Sequence, residues 1–263
     1  MQLIPRPIKK ILKRFLSFIG IEIISKEALK NIELSNQKQS LFDLSFFREV
    51  VGDKFSDAIS MLPLSKSQLR QDLFVLHRTN FKKNGFFVEF GACDGIELSN
   101  TYLLETEFNW SGILAEPALG WSDDLEKNRN CTIVKKCVWR ESETDVLFNE
   151  VGELSTISQF SNEDLHANRR KNSIEYLVKT ISLNDLLTQN HAPAFIDYLS
   201  IDTEGSEFEI LSALDFQKFS FGIITVEHNF SKNRDKVYQL LISKGYKRKF
   251  ENISSFDDWY IKL

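Results

Sequence analysis

Five short apolar runs, Phe86–Phe90, Gly112–Ala115, Thr132–Val138, Phe195–Ile201 and Phe221–Val226, alternate with helically spaced segments along the second two thirds of the chain. Runs this short and this apolar are what strands look like when both faces of a sheet are covered. Strand, helix and strand in repeated succession dictate a parallel sheet with right-handed crossovers. Helices are predicted over Ser67–Arg78, Leu98–Phe108, Trp121–Asn128 and Asp235–Ser243, with a further one beginning near Ser206. Two last strands, near Tyr246–Phe250 and Trp259–Leu263, are close enough in sequence to pair as a hairpin and add an antiparallel edge. The fold class is therefore α/β, a three-layer Rossmann-like sandwich on a mostly parallel sheet. A polar, charged stretch at residues 150–175 interrupts the rhythm.

In such sheets ligands sit outside the carboxyl ends of the strands. The first run ends Glu89-Phe-Gly91-Ala-Cys-Asp94-Gly95, where two glycines four apart let the backbone turn tightly beside a ligand. The dinucleotide fingerprint G-x-G-x-x-G and the Walker phosphate loop are both absent, which argues against a nucleotide-dependent oxidoreductase. Glu89 and Asp94 would repel a pyrophosphate and suit a ligand carrying an amino group and a sulfonium. The second run ends at Glu116-Pro117, an acidic residue at the distance from the glycine turn where a ribose diol is gripped. The fourth ends Asp202-Thr-Glu204-Gly205-Ser-Glu207 and the fifth Glu227-His228-Asn229. These two tips would flank a reacting centre, with acidic groups and a histidine able to take a proton from an alcohol. Glu207 equally suits the first turn of its helix, where negative charge is favoured.

The runs FVEFGACDGIELSNT, GILAEP, IDYLSIDTEGSEFEIL and ITVEHN, together with SQLRQDLFVL, ELSTI, DLHANRR and VKTISLNDLL, resemble the FkbM-type methyltransferases of the class I S-adenosylmethionine-dependent group. The resemblance spans residues 66–263 and leaves 1–65 as a separate N-terminal helical extension. It implies a seven-stranded sheet, S-adenosylmethionine as methyl donor, and O-methylation of a glycan or natural product. On the same pattern Glu89, Gly91, Asp94 and Gly95 contact the methionine end, Glu116 the ribose, and the Cys137–Val138 backbone the adenine side, while Asp202 lies near the transferring methyl.

A sugar hydroxyl is a poor acid, so its methylation needs a base or a metal. His228 is the expected general base, since its pKa suits neutral pH. The alternative is a divalent cation on Asp202, Glu227 and Asn229, which would lower the hydroxyl pKa. Ser155–Arg170 is the expected acceptor-side lid, with His166 and Arg170 four apart on one helical face and Glu204 below as acceptor contacts. Two rival readings stand beside a sugar acceptor: a natural-product hydroxyl, and a non-catalytic membrane-associated adaptor on the same fold.

Net charge of −4 argues against a nucleic-acid partner. The charge is uneven, however, with seven basic side chains against Glu22 and Glu27 in residues 1–30. From Pro7 to Ile24, Ile8, Ile11, Leu12, Phe15, Leu16, Phe18 and Ile19 recur at helical spacing opposite Lys9, Lys10, Lys13 and Arg14. That pattern fits a helix lying on an anionic membrane surface or packing on protein, and it is too short and interrupted to span a bilayer. The expected location is the cytoplasm, at the inner membrane face where that segment docks. Cys93, Cys131 and Cys137 form no metal-like or paired pattern and read as reduced thiols.

Overall fold

The structure, a computed structural model, describes residues 26–52, 55–162 and 166–263. The basic amphipathic helix expected over residues 7–24 lies outside them. The chain divides into two units, Met1–Phe47 and Arg48–Leu263. The first carries helix α1 (Lys26–Phe46), on which Phe42 and Phe46, four apart and hence on one face, stack with ring centroids 6.3 Å apart. No helix among the described residues is long and apolar enough to cross a membrane.

In the second unit the elements run α2 (Phe55–Met61), α3 (Gln71–Arg78), β1 (Phe86–Phe90), α4 (Tyr102–Phe108), β2 (Ser111–Ala115), α5 (Ser122–Asn128), β3 (Thr132–Val134), β4 (Cys137–Trp139), β5 (Asp145–Glu150), β6 (Thr156–Ile157), β7 (Ile174–Ser182), α6 (Leu183–Gln189), β8 (Phe195–Ile201), α7 (Glu207–Ser212), β9 (Ser220–Glu227), α8 (Arg234–Ser243), β10 (Tyr246–Lys249) and β11 (Asp257–Lys262). Seven strands form one sheet in the order β3-β2-β1-β8-β9-β11-β10. All neighbours are parallel except around β11, which runs against both β9 and β10. This is the expected seven-stranded α/β sheet with its reversed C-terminal strand. The order turns back at β1 and β8, so their tips form the switch point where ligands bind in such sheets.

Alternation along the strands sorts the two faces. Val88, Phe90, Leu199, Ile201, Ile224 and Val226 share one core cluster with Leu186, Ile210 and Leu241 of the helices that follow. Glu89, Ser200, Thr225 and Trp259 lie side by side in register on the other face, where Trp259 stacks on Phe74 of α3 at 4.7 Å. The polar residues of this face lead toward the tips and set up the site.

The third predicted strand, Thr132–Val138, is two strands. Lys135 and Lys136 pair with Glu126 and Glu143 at the surface, and after them the chain leaves the main sheet. β4 joins a second, four-stranded sheet ordered β4-β7-β5-β6. Its inner side packs Cys137, Trp139, Phe148, Ile157, Phe160 and Val178 into a small core of its own. The described part of the stretch at 150–175 thus belongs to this second sheet, contributing β6 and the first residues of β7. Thr156 Oγ1 donates to the Glu204 carbonyl at 2.9 Å and ties the sheet to the β8 tip.

Candidate functional site

A cavity of about 300 Å³ opens at the tips of β1, β2, β8, β9 and β11, roofed by residues 152–155, Ile157, His166 and Arg169. That volume is at the small end of cofactor sites.

The turn leaving β1 is built around buried Glu89. Its carboxylate accepts hydrogen bonds from Asn100 N (2.6 Å), Thr101 Oγ1 (2.5 Å) and Ser99 Oγ (3.0 Å). Arg129, fully buried at the end of α5, comes within 3.7 Å of Glu89. It also donates to the Gly95 carbonyl, Ser99 Oγ, Thr101 Oγ1 and Glu105. This is why α4 starts at Tyr102 rather than at Leu98: residues 94–101 are wound around one carboxylate. Gly91 has φ +75°, and a Cβ there would lie 2.0 Å from the Asp202 carbonyl oxygen. Only glycine lets the β1 and β8 tips meet so closely.

Glu116 lies buried at the β2 tip, accepting from Cys93 N at 3.1 Å and Ala118 N at 2.9 Å. Burial raises its pKa to about 7 against the lowering effect of those two amides. Beside it Val138, Cys137, Phe148 and Ile157 supply an apolar wall.

At the other end Asp202, Glu204 and Glu227 bring carboxylate oxygens within 4.8 Å of one another. Asp202 and Glu227 face each other across this cluster. Burial raises both pKa values, and the charge of Asp202 pushes Glu227 up further. Glu204 is held by Arg170 at 2.8 Å, an ion pair almost wholly shielded from solvent. Asn229 Nδ2 bridges Glu204 (3.0 Å) and Glu227 (2.8 Å). Both Glu204 (φ +57°) and Asn229 (φ +41°) adopt left-handed backbone, a strain that marks functional sites.

Of the residues singled out by sequence, the cavity gathers Glu89, Gly91, Glu116, Val138, His166, Asp202, Glu204, Glu227 and Asn229. Asp94, Gly95, Arg170 and His228 do not line it. Asp94 Oδ1 instead accepts from Ile96 N and Glu97 N, closing the turn. Gly95, at φ +83°, makes room for Arg129 and Leu125, whose side chains a Cβ would meet at 2.6 and 2.8 Å. Arg170 works beneath the roof, and Arg169 takes its expected place on the cavity wall. The two arginines belong to a short 3-10 turn, Arg169–Asn172, and Arg170 turns to Leu154 O and Glu204 while His166 lines the cavity, so the two do not meet the acceptor from one shared face as expected.

His228 is the principal correction. Its Nδ1 accepts from Phe230 N at 3.0 Å and its ring packs edge-on against Phe230. Burial, set against the nearby Asp258 carboxylate, lowers its pKa to about 4. The reason is parity: successive side chains of an extended segment point to opposite faces, so where Glu227 enters the cavity His228 cannot. The cation set expected from sequence also changes. Asn229 turns its amide nitrogen, not its oxygen, to the carboxylates, and Glu204 takes its place in the cluster. Sequence reasoning missed Arg129, Asn100, Gln71 and Asp257. Asp257, at the start of β11, lines the cavity and accepts from Gln71 Nε2 at 2.9 Å, and burial pushes its pKa to about 8. Hydrogen-bonded register with Glu227 is what brings it there.

The family model described as the methyltransferase FkbM domain matches residues 89–259. No curated protein matches the chain. Among solved structures it is similar to a precorrin-6y C5,15-methyltransferase from Geobacter metallireducens, at 12% identity over 68% of this chain and 72% of that one (TM-score 0.40). It is similar to methyltransferase FkbM from Methylobacillus flagellatus, also at 12% identity, over 78% of this chain and 60% of that one (TM-score 0.43). A SAM-dependent methyltransferase from Aquifex aeolicus shows 8% identity over 78% and 97% (TM-score 0.36).

Proposed function

The chain belongs to the FkbM methyltransferase family and is an S-adenosylmethionine-dependent methyltransferase, and from that premise we propose that its acceptor is a hydroxyl of a sugar or glycan. The cavity's donors and walls suit the methyl donor. Glu116 is a buried carboxylate for a ribose diol, Val138 and Phe148 offer apolar surface to an adenine, and the acidic tips favour a sulfonium. When bound, S-adenosylmethionine supplies a methyl group already activated toward displacement. Everything else falls to the chain: to align the acceptor oxygen, to exclude water, and to receive one proton.

The observation that carries the hydroxyl reading is the carboxylate pair at the β8 and β9 tips. Asp202, beside the more strongly raised Glu227, is the group assigned to accept the hydroxyl proton as the oxygen attacks. Glu204, paired with Arg170 and held by Asn229, adds its charge to that of Asp202 in raising Glu227. His166 and Arg169 on the roof offer hydrogen bonds to the remaining hydroxyls of a polyol. A divalent cation on Asp202, Glu204 and Glu227 would activate the same oxygen by another route. Activity that survives EDTA and is lost in Asp202→Asn favours the carboxylate base; the converse favours the cation.

The reading is tested by incubating the protein with methyl-labelled donor and a cell-envelope glycan fraction. Label recovered in an O-methyl sugar is the expected result. Label on nitrogen, or on an apolar natural product, overturns it. Residues 7–24 fit, on their sequence alone, a peripheral contact with an anionic membrane at the cytoplasmic face. Deleting them should release the protein from the membrane fraction, and unchanged partitioning would dismiss the contact.

A further inference from the structure

The two carboxylates of the β1 turn are not free to receive the ammonium of the donor's methionine end. The Glu89 carboxylate is occupied by Ser99, Asn100 and Thr101, and Asp94 spends its own on two backbone amides outside the cavity. An ammonium group brings three donors and no acceptor, so it must find acceptors whose capacity is unused. Asn100 has one. It lines the cavity, its Nδ2 donates to Ser200 Oγ at 2.9 Å, and its Oδ1, shielded from bulk water, accepts a hydrogen bond from no group among the described residues. Such a buried acceptor costs free energy until a donor reaches it.

Position supports the same assignment. Glu116 stands on β2, and Asn100 sits on Ser200 of β8, two strands away across β1. Two strand spacings are about 10 Å, the reach of an extended amino-acid tail measured from a ribose diol. Asp257, on β11, lies two strands further and belongs to the acceptor side. We propose that Asn100, anchored on Ser200, receives the α-ammonium of the donor's amino-acid end. The assignment rests on the methyl-donor reading of the cavity. It gives the backbone bond from Asn100 N to Glu89 a purpose: the β1 carboxylate positions the residue that binds, and does not itself bind.

The test is calorimetric titration of the full chain with S-adenosylhomocysteine and with 5′-methylthioadenosine, which keeps the adenosine and sulfur but lacks the amino-acid tail. Asn100→Ala should weaken S-adenosylhomocysteine about ten-fold or more, as for the loss of a hydrogen bond to a charged group, and leave methylthioadenosine within about two-fold. Asn100→Asp, which keeps an acceptor, should recover most of the affinity. Equal loss of both ligands in Asn100→Ala, or no loss of either, overturns the assignment. Wild-type protein that binds neither ligand would instead sink the methyl-donor reading, and the assignment with it.

Discussion

The two ends of the cavity use the same residue types in opposite ways. At the β1 and β2 tips Glu89 is saturated by a neighbouring amide and two hydroxyls, and Glu116 is fixed by two backbone amides that leave acceptor capacity for a ligand. At the β8 and β9 tips Asp202, Glu204 and Glu227 face one another, held by one arginine and one amide. Carboxylates saturated with donors define a shape. Carboxylates crowded together store protonation states close in energy, which is what proton transfer near neutral pH requires. The donor half is thus built to be rigid, the acceptor half to be reactive.

Substitutions can break that contrast. The largest effect is expected at the reactive end: Asp202→Asn should lower kcat by about 10²–10⁴ while S-adenosylhomocysteine binding, read by calorimetry, changes little. A parallel loss of binding would erase the division of labour. Next, Gly91→Ala joins a left-handed backbone to an overlap with the Asp202 carbonyl and should cost about 2–4 kcal/mol of stability in chemical denaturation. An unaffected protein would show that the two tips are not in contact. Glu116→Gln, at the anchoring end, should weaken donor binding about ten-fold and leave kcat at saturation within a few-fold. His228→Ala, one residue beyond the reactive pair but on the opposite face, should leave turnover within about three-fold, far below the range of general-base loss.

A pH scan sharpens the comparison further. Burial raises Glu116 to about 7 and Asp257 to about 8, above the values such groups have in an unfolded chain. The folded protein therefore keeps protons that the unfolded chain has released. The stability this confers is fully present below the unfolded carboxylate range and is lost as pH rises through about 7–8. The Tm of ligand-free protein should fall between about pH 5.5 and pH 8.5, and a Tm that holds or rises over that range would contradict those shifts.

The succession of parallel strands and the glycine turn were legible in the sequence because buried parallel strands announce themselves as apolar runs and the turn needs Gly91. The second sheet was not, since β5 (DVLFNE) and β7 (IEYLVKTIS) flank the polar stretch at 150–175 and nothing local says that they pair with each other. His228 misled for a simple reason: at a strand end one residue decides which face a side chain meets, and the sequence carries no mark of where the strand stops. Arg129 follows a surface helix and looks solvated, yet its guanidinium organises the whole β1 turn. Asn100 and Asp257 reach the cavity through register and a wound turn, both of which depend on contacts distant in sequence.

The most direct measurement is a crystal structure of the chain with S-adenosylhomocysteine. The ribose should lie on Glu116, the adenine against Val138 and Phe148, and the sulfur should point toward Asp202. Density for the ligand elsewhere, or a cavity closed by side chains between Gly91 and Glu116, would contradict the account.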